Sequence, residues 1–170
     1  KTPIVVNDSN GFYTSRLVAR FVDEGIAMVG EGIAPALIEN AGKLAGFPVG
    51  PLALADEVSL ELIYRIREQN RRDSGDSYVP RPGEPVVTHF VEELARLGRK
   101  SGGGFYDYPT KQPKNLWRGL HDLYAKRNDQ PDIEEVKKRL LFVQSVDAAR
   151  CLDEGVLTDP RDGDVGSILG

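Results

Sequence analysis

Apolar positions recur every three or four residues through most of the chain. Leu17, Val18, Phe21, Val22, Ile26 and Val29 form one stripe, which predicts an amphipathic helix ended by Gly30 and Gly32. Pro35 suits the first turn of a second helix, with Leu37, Ile38, Ala41 and Leu44 inward and Gly46 closing it. The stretch Gly46-Phe47-Pro48-Val49-Gly50-Pro51 is too rich in Gly and Pro for regular structure and predicts a tight apolar loop. Leu54, Val58, Leu62 and Ile66, spaced by four, predict a helix from about Leu52 to Gln69. Polar residues 70–85 read as a surface loop. Val86, Val87, Phe90, Leu94 and Leu97 then predict a helix, residues 98–108 a Gly-rich turn, and Leu116–Tyr124 a short helix. After a break at Asn128–Asp132, Asp132 can cap a last long helix, with Glu134 and Glu135 at its positive end and Val136, Leu140, Val143 and Cys151 along it. Only Ile4-Val5-Val6 reads as a strand. A lone strand is unstable, and no later segment alternates, so its sheet is expected outside this chain.

The pattern also repeats. Arg16-Leu17-Val18 returns as Arg139-Leu140-Leu141, and Glu31-Gly32-Ile33 as Glu154-Gly155-Val156, both 123 positions later. One shared offset points to duplication of a helix with its C-terminal cap; the alternative is chance similarity between amphipathic helices. The expected organisation is a strand remnant at 1–8, a first helical repeat at 9–112 and a second, truncated repeat at 113–170.

Composition narrows the function classes. The 170 residues suffice for one domain or two small ones. A net charge of −4 argues against a nucleic-acid backbone as partner. No apolar run approaches the roughly 18 residues of a membrane span. A single Cys excludes an internal disulfide and a thiolate-rich zinc site. The absent initiator Met and signal peptide suggest a fragment or a processed chain.

The residues capable of chemistry are sparse. Gly25, Gly30 and Glu31 imitate a phosphate loop, but Glu31 stands where Lys is needed and would repel phosphate. Gly102-Gly103-Gly104 lacks the strand before and helix after that a dinucleotide fingerprint requires. His89 and His121 have neither an oriented nucleophile nor ligand spacing, and Cys151 reads as a core thiol. Arg65, Arg67, Arg71 and Arg72 could meet the phosphates of an anionic cofactor or sit favourably at a helix C-terminus; the second reading is the simpler. From chemistry alone no complete active site emerges.

The motif Asn7-Asp8-Ser9-Asn10-Gly11-Phe12-Tyr13-Thr14-Ser15-Arg16-Leu17 resembles the start of the C-terminal domain of L-3-hydroxyacyl-CoA dehydrogenases. The 46–51 loop with Asp56 after it, and Lys100-Ser101-Gly102-Gly103-Gly104-Phe105-Tyr106, resemble two further stretches of that domain in the same order. The segment from Arg139 resembles the tandem helical domain of multifunctional fatty-acid oxidation proteins.

The resemblance implies an all-α fold of the 6-phosphogluconate/3-hydroxyacyl-CoA dehydrogenase type with an internal duplication. It implies that Ile4–Val6 is the last strand of a missing Rossmann domain, which in the family binds NAD and carries the His base and its Glu. The chain then reads as cut at both ends and inactive alone. The family places an Asn beside the substrate oxygen; its position here is Ser15, shorter but still a donor, with helix capping as the plain alternative. Phe12, Pro48, Val49 and Leu54 stand where the family walls the acyl-CoA substrate; core packing is the competing role. Asp56 and the Phe105–Tyr108 aromatics are expected to bond and pack within the fold. The resemblance further implies a homodimer, and a cytoplasmic site in bacteria or the mitochondrial matrix in eukaryotes. A helical protein–protein interaction module without a substrate pocket is the alternative function.

Overall fold

A computed structural model describes residues 3–124 and 127–169. Lys1, Thr2 and Gly170, the ends of the sequence, lie outside the described residues. Helices dominate: α1 (Thr14–Gly30), α2 (Pro35–Leu44), α3 (Pro51–Val58), α4 (Leu60–Ser74), α5 (Glu84–Thr88), α6 (Gly119–Leu123), α7 (Ile133–Asp153) and α8 (Pro160–Leu169). Among the described residues the sheet component is one antiparallel pair, β1 (Tyr106–Asp107) against β2 (Asn115–Leu116).

Helix α1 is the hub. It packs on α3, α5 and α7, while α7 also covers α2. The main core combines Phe21, Val22, Ile26 and Val29 of α1 with Ile38, Leu52, Phe90, Phe105 and, from α7, Val136 and Leu140. A smaller cluster joins Tyr13 and Leu17 to Cys151, Val156 and Leu157. Both long helices end alike. Gly32 and Gly155 adopt positive φ, 83° and 73°, where a side chain would be strained, and each amide turns back to close its helix.

The duplicated motif forms a reciprocal clamp. Arg16 binds Asp147 (Nε to Oδ2, 2.9 Å) and Glu154 (2.5 Å). Arg139, its counterpart, binds Glu24 and Glu31, each at 2.6 Å. Glu24 and Glu31 stand 123 positions before Asp147 and Glu154. Each copy thus presents its arginine to the other copy's acids. The exchange extends to the loops: the Asn7 amide group donates to the Gly155 carbonyl at 2.8 Å, and that of Gln130, again 123 positions on, to the Gly32 carbonyl at 3.1 Å. Burial would raise the Asp147 carboxyl, but Arg16 and Arg20 outweigh it and hold it below the ordinary carboxylate value.

Several elements depart from the periodicity. The strand expected over Ile4–Val6 is not formed; the run has no ladder partner among the described residues. Ile4 and Val6 pack instead on the Tyr13–Cys151 cluster, and the Asn7 amide donates to the Val156 carbonyl at 2.9 Å. The helix expected from Leu52 to Gln69 is broken at Ser59, whose φ is 91° and whose hydroxyl donates to the Leu97 carbonyl and caps Leu62. The break re-aims α4, so Leu60, Ile63, Tyr64 and Arg67 face the core, whereas Val58, Leu62 and Ile66 are 40–49% exposed. Val18 and Leu44, expected inward, also face solvent. The helix from Val86 loosens into a π-helical turn, His89–Glu93. Helix α8 has no apolar stripe to announce it, because its buried positions are Gly163 and Gly166, against which the Tyr13 ring lies.

The reciprocity makes a prediction. Arg16→Met and Arg139→Met should each lower stability by about 1.5–3 kcal/mol, the range for hydrogen bonds to charged groups, in urea unfolding. A near-neutral result for either one would break the equivalence of the two clamps.

Candidate functional site

At the N-terminal end of α1, Phe12 and Ser15 are exposed on either side of the buried Tyr13. Gly11 and Phe12 both adopt positive φ, 81° and 50°. For Phe12 that conformation is costly, and it leaves the ring 55% exposed. Tyr13 stands at the N-cap and no side chain caps this helix end, so Ser15 does not cap α1. Its side chain lies on the exposed surface of the first turn, one turn from the half-exposed Val18 on the same face. Above this end, the Asn10 amide group donates to the Asn70 side-chain oxygen at 3.4 Å.

The 46–51 loop crosses the middle of α1. Phe47 stacks on Phe21 with ring centroids 4.1 Å apart, and Pro51 lies so close to Gly25 that a Cβ there would meet it at 2.5 Å. Pro48 is exposed, while Val49 and Leu54 are half-buried against the core. Pro48 and Val49 thus lie on the loop that crosses α1, and Leu54 on α3, which starts at Pro51 over Gly25, whereas Phe12 and Ser15 stand at the N-terminal end of α1, about 9–15 Å of helix rise before the crossing at Phe21 and Gly25. Polar contact and apolar wall are separate stations along one helix.

Two buried carboxylates hold these parts. Glu39, on the inner face of α2, accepts the Leu52 amide at 2.7 Å and the Ala53 amide at 3.3 Å. It thereby supplies a negative group to the N-terminus of α3. Its other oxygen accepts the Tyr106 hydroxyl at 2.7 Å. Asp56 accepts the Phe105 and Tyr106 amides, both at 2.8 Å, and the Tyr108 hydroxyl at 3.0 Å. Gly104 passes so near that a Cβ would lie 1.9 Å from the Asp56 carboxylate. The Gly-rich turn is thus wrapped around an acid, and Phe105 and Tyr106 are core residues. The role of Glu39 was not read from the sequence; its signal was an acid set among the buried residues Ile38, Ala41 and Gly42.

Neither histidine has a nucleophile beside it. His89 Nδ1 bonds the Tyr124 hydroxyl at 3.1 Å, and His121 is an exposed neighbour of Asp122. Cys151 is buried, which raises its thiol above the ordinary value. Among the described residues no group of His, Cys, Asp or Glu has metal-binding geometry, and no helix is long and apolar enough to cross a membrane.

With this geometry in place, the likeness to known proteins becomes specific. A family model described as 3-hydroxyacyl-CoA dehydrogenase, C-terminal domain, matches residues 11–108. The chain belongs to this family. The dehydrogenase-family match covers the α1 end, the 46–51 loop and the Gly-rich turn together. Among curated relatives, the fatty acid oxidation complex subunit alpha of Vibrio cholerae serotype O1 (strain ATCC 39541 / Classical Ogawa 395 / O395) is 37% identical over 177 residues. That of Shewanella baltica (strain OS185) is 33% identical over 173. Each comparison uses 100% of this chain but 24% of the relative, so the chain spans about a quarter of their length. The crystal structure of the dehydrogenase part of multifunctional enzyme 1 from C. elegans superimposes with a TM-score of 0.72 at 27% identity, covering 99% of this chain and 38% of that one.

Asp56 gives the dehydrogenase-family turn a pH signature. Burial pushes its carboxyl up to about 6, against the two amides and the Tyr108 hydroxyl, which favour the ionised form. The ordinary value is 3.8, so the folded protein holds the proton more tightly than the unfolded chain. Stability from this group is complete below about pH 4 and is lost as pH rises through about 6. The stability difference between the wild type and Asp56→Asn should therefore shift by up to about 3 kcal/mol between pH 4 and pH 7, in the direction that favours the wild type at the acid end. Urea unfolding of both proteins across that range checks it, and a pH-independent difference would contradict it.

Proposed function

We propose that the chain is the substrate-side helical domain of an NAD-dependent L-3-hydroxyacyl-CoA dehydrogenase acting in fatty-acid β-oxidation, within a multifunctional parent. The observation that carries this reading is the family match over residues 11–108, coinciding with an α1 end that holds Phe12 and Ser15 open. The relatives' printed function, fatty acid oxidation, supports the substrate class. In this reading the chain divides near residue 112 into two copies of one helical unit.

The Ser15 hydroxyl donates to the substrate oxygen, directly or through a water. Phe12 covers the reacting end, and the acyl chain runs along α1 to the wall of Pro48, Val49 and Leu54. Burying each methylene there contributes about 0.8 kcal/mol, so a short wall is enough to discriminate a fatty chain from water. The outward row Val58, Leu62 and Ile66 receives the nucleotide domain. The exposed Leu141, Phe142 and Val146 of α7 offer apolar area for a homodimer.

The residues present do not fit NAD. The Gly-rich turn that might cradle a phosphate is closed by Asp56 under Gly104 and by the Arg96 guanidinium, 3.0 Å from a Cβ at Gly103. A carboxylate in that place repels a pyrophosphate. The cofactor, the base and its orienting acid are assigned to a domain preceding this chain in the parent. Bacterial relatives favour a cytoplasmic setting.

The test is an assay of acetoacetyl-CoA reduction by NADH, with the chain alone and with the Rossmann domain of a relative supplied. The chain alone should give no turnover and the pair should. In the pair, Ser15→Ala should lower kcat by about 10²-fold, as loss of one oxygen-directed donor does, while Ser15→Asn should retain activity. Turnover by the lone chain, or an unaffected Ser15→Ala pair, would overturn the division of labour.

A further inference from the structure

The turn that carries Phe12 and Ser15 is seated on residues 147–167. Ile4 and Val6, just before it, pack with Cys151, Val156 and Leu157. The Asn7 backbone amide donates to the Val156 carbonyl at 2.9 Å and its side chain to the Gly155 carbonyl at 2.8 Å. Arg16, next to Ser15, is held by Asp147 and Glu154. Among the described residues, the bond that leads from this segment to another part of the fold is Asn10 to Asn70, exposed and 3.4 Å long, which is weak.

Tyr13 is the innermost of these anchors. It is 2% exposed and lies two residues from Ser15. Its ring rests on α8 at Gly166, where a Cβ would meet the ring at 3.1 Å and the Ile4 side chain at 2.7 Å. Its hydroxyl donates to the Gly163 carbonyl at 3.1 Å and lies 2.7 Å from Ser167 Oγ. A phenol has one proton to give, so with the carbonyl as its acceptor the Ser167 hydroxyl is the donor of the second bond. This end of α1 has no side-chain cap, and Gly11 and Phe12 both hold positive φ. Such a conformation at Phe12 persists only where the surroundings over-determine it, and here the surroundings are α8 and the end of α7.

The reverse arrangement holds no such turn. The start of α7 is anchored on the first copy in the same manner, by Gln130 on the Gly32 carbonyl and Arg139 on Glu24 and Glu31. Yet the positions 123 after Phe12, Tyr13 and Ser15 are Glu135, Val136 and Lys138. The anchors are duplicated, whereas the aromatic pair and the hydroxyl are not. The second copy thus serves the exposed turn of the first without repeating it.

We propose that Tyr13 and Ser167 are positioning residues for Ser15: α8 fixes the first turn of α1 through the Tyr13 hydroxyl and so directs the Ser15 hydroxyl at the substrate oxygen. This rests on the acyl-CoA reading for what Ser15 does, but not for how it is held.

Two mild variants test it. Tyr13→Phe removes the hydroxyl and leaves the ring on its glycines, and Ser167→Ala removes the exposed partner. In the 170-residue chain both should move the NMR signals of Ser15 and speed hydrogen exchange of the Phe12 and Leu17 amides, which bond within this turn, while the signals of α2 and α3 stay in place. With the Rossmann domain of a relative supplied, both should lower kcat for acetoacetyl-CoA reduction about tenfold, less than the about 10²-fold that a 1 Å misplacement can cost. KM should stay within about twofold, because the 46–51 wall is untouched. Ser167→Thr keeps a hydroxyl and should retain the wild-type kcat. Gln130→Ala, which removes an equivalent anchor of the other copy, should leave both kcat and the Ser15 signals unchanged. Unmoved Ser15 signals in folded Tyr13→Phe and Ser167→Ala proteins, a raised KM at constant kcat, or an equal fall of kcat in Ser167→Thr or Gln130→Ala would overturn the proposal. A Ser15→Ala pair with full activity would instead sink the role of Ser15 itself, and the Ser15 signals would still decide what holds the turn.

Discussion

The fold hangs on one exchanged interaction, the pair of arginine clamps between α1 and α7. Each arginine reaches across to two acids of the other copy, and one of those acids, Asp147, is 1% exposed. A buried carboxylate is tolerable only when its cations are in place, so the two long helices cannot slide or part without leaving a charge stranded. Apolar packing of Val136 and Leu140 against the α1 core supplies the bulk of the attraction. The clamps supply register. Once α1 is held, every other station is measured from it: the exposed first turn, the crossing of the 46–51 loop at Phe21 and Gly25, and the capped break at Ser59.

A second layer of constraint is carried by two interior acids. Glu39 ties the start of α3 to the Tyr106 hydroxyl, and Asp56, a turn and a half further along α3, ties the amides of the Gly-rich turn. The turn, the loop and α2 are thereby one body with a rigid apolar wall on it. Such pre-organisation would favour the proposed acyl-chain contact, since a wall that must itself be ordered loses affinity in proportion.

Much of this was legible in the residues. The stripe of α1, the Gly caps, the tight 46–51 loop, the Asp132 cap of α7 and the shared offset of 123 positions are all local or repetitive signals, and local signals survive folding. What was not legible depends on partners distant in sequence. The outward row Val58, Leu62 and Ile66 has flawless helical spacing; only the left-handed turn at Ser59, set by the Leu97 carbonyl, reverses its face. Helix α8 packs through glycines, which leave no hydrophobic trace. Ile4–Val6 has strand composition but no ladder partner among the described residues; the next amide, of Asn7, donates to the Val156 carbonyl. For the candidate site, the motif singled out Phe12 and Ser15 as candidates but not the positive φ of Phe12, and nothing in the spacing indicated that Glu39 and Asp56 brace the loop and turn further along.

The central claim is that α1, with the site residues it carries, is set by α7 and opens only together with it. Amide hydrogen exchange resolves this helix by helix. The account predicts that the most protected amides of residues 14–30 and 133–153 exchange with one common free energy, equal to that of global unfolding. Exchange of α7 at a markedly lower free energy, with α1 still fully protected, would contradict it.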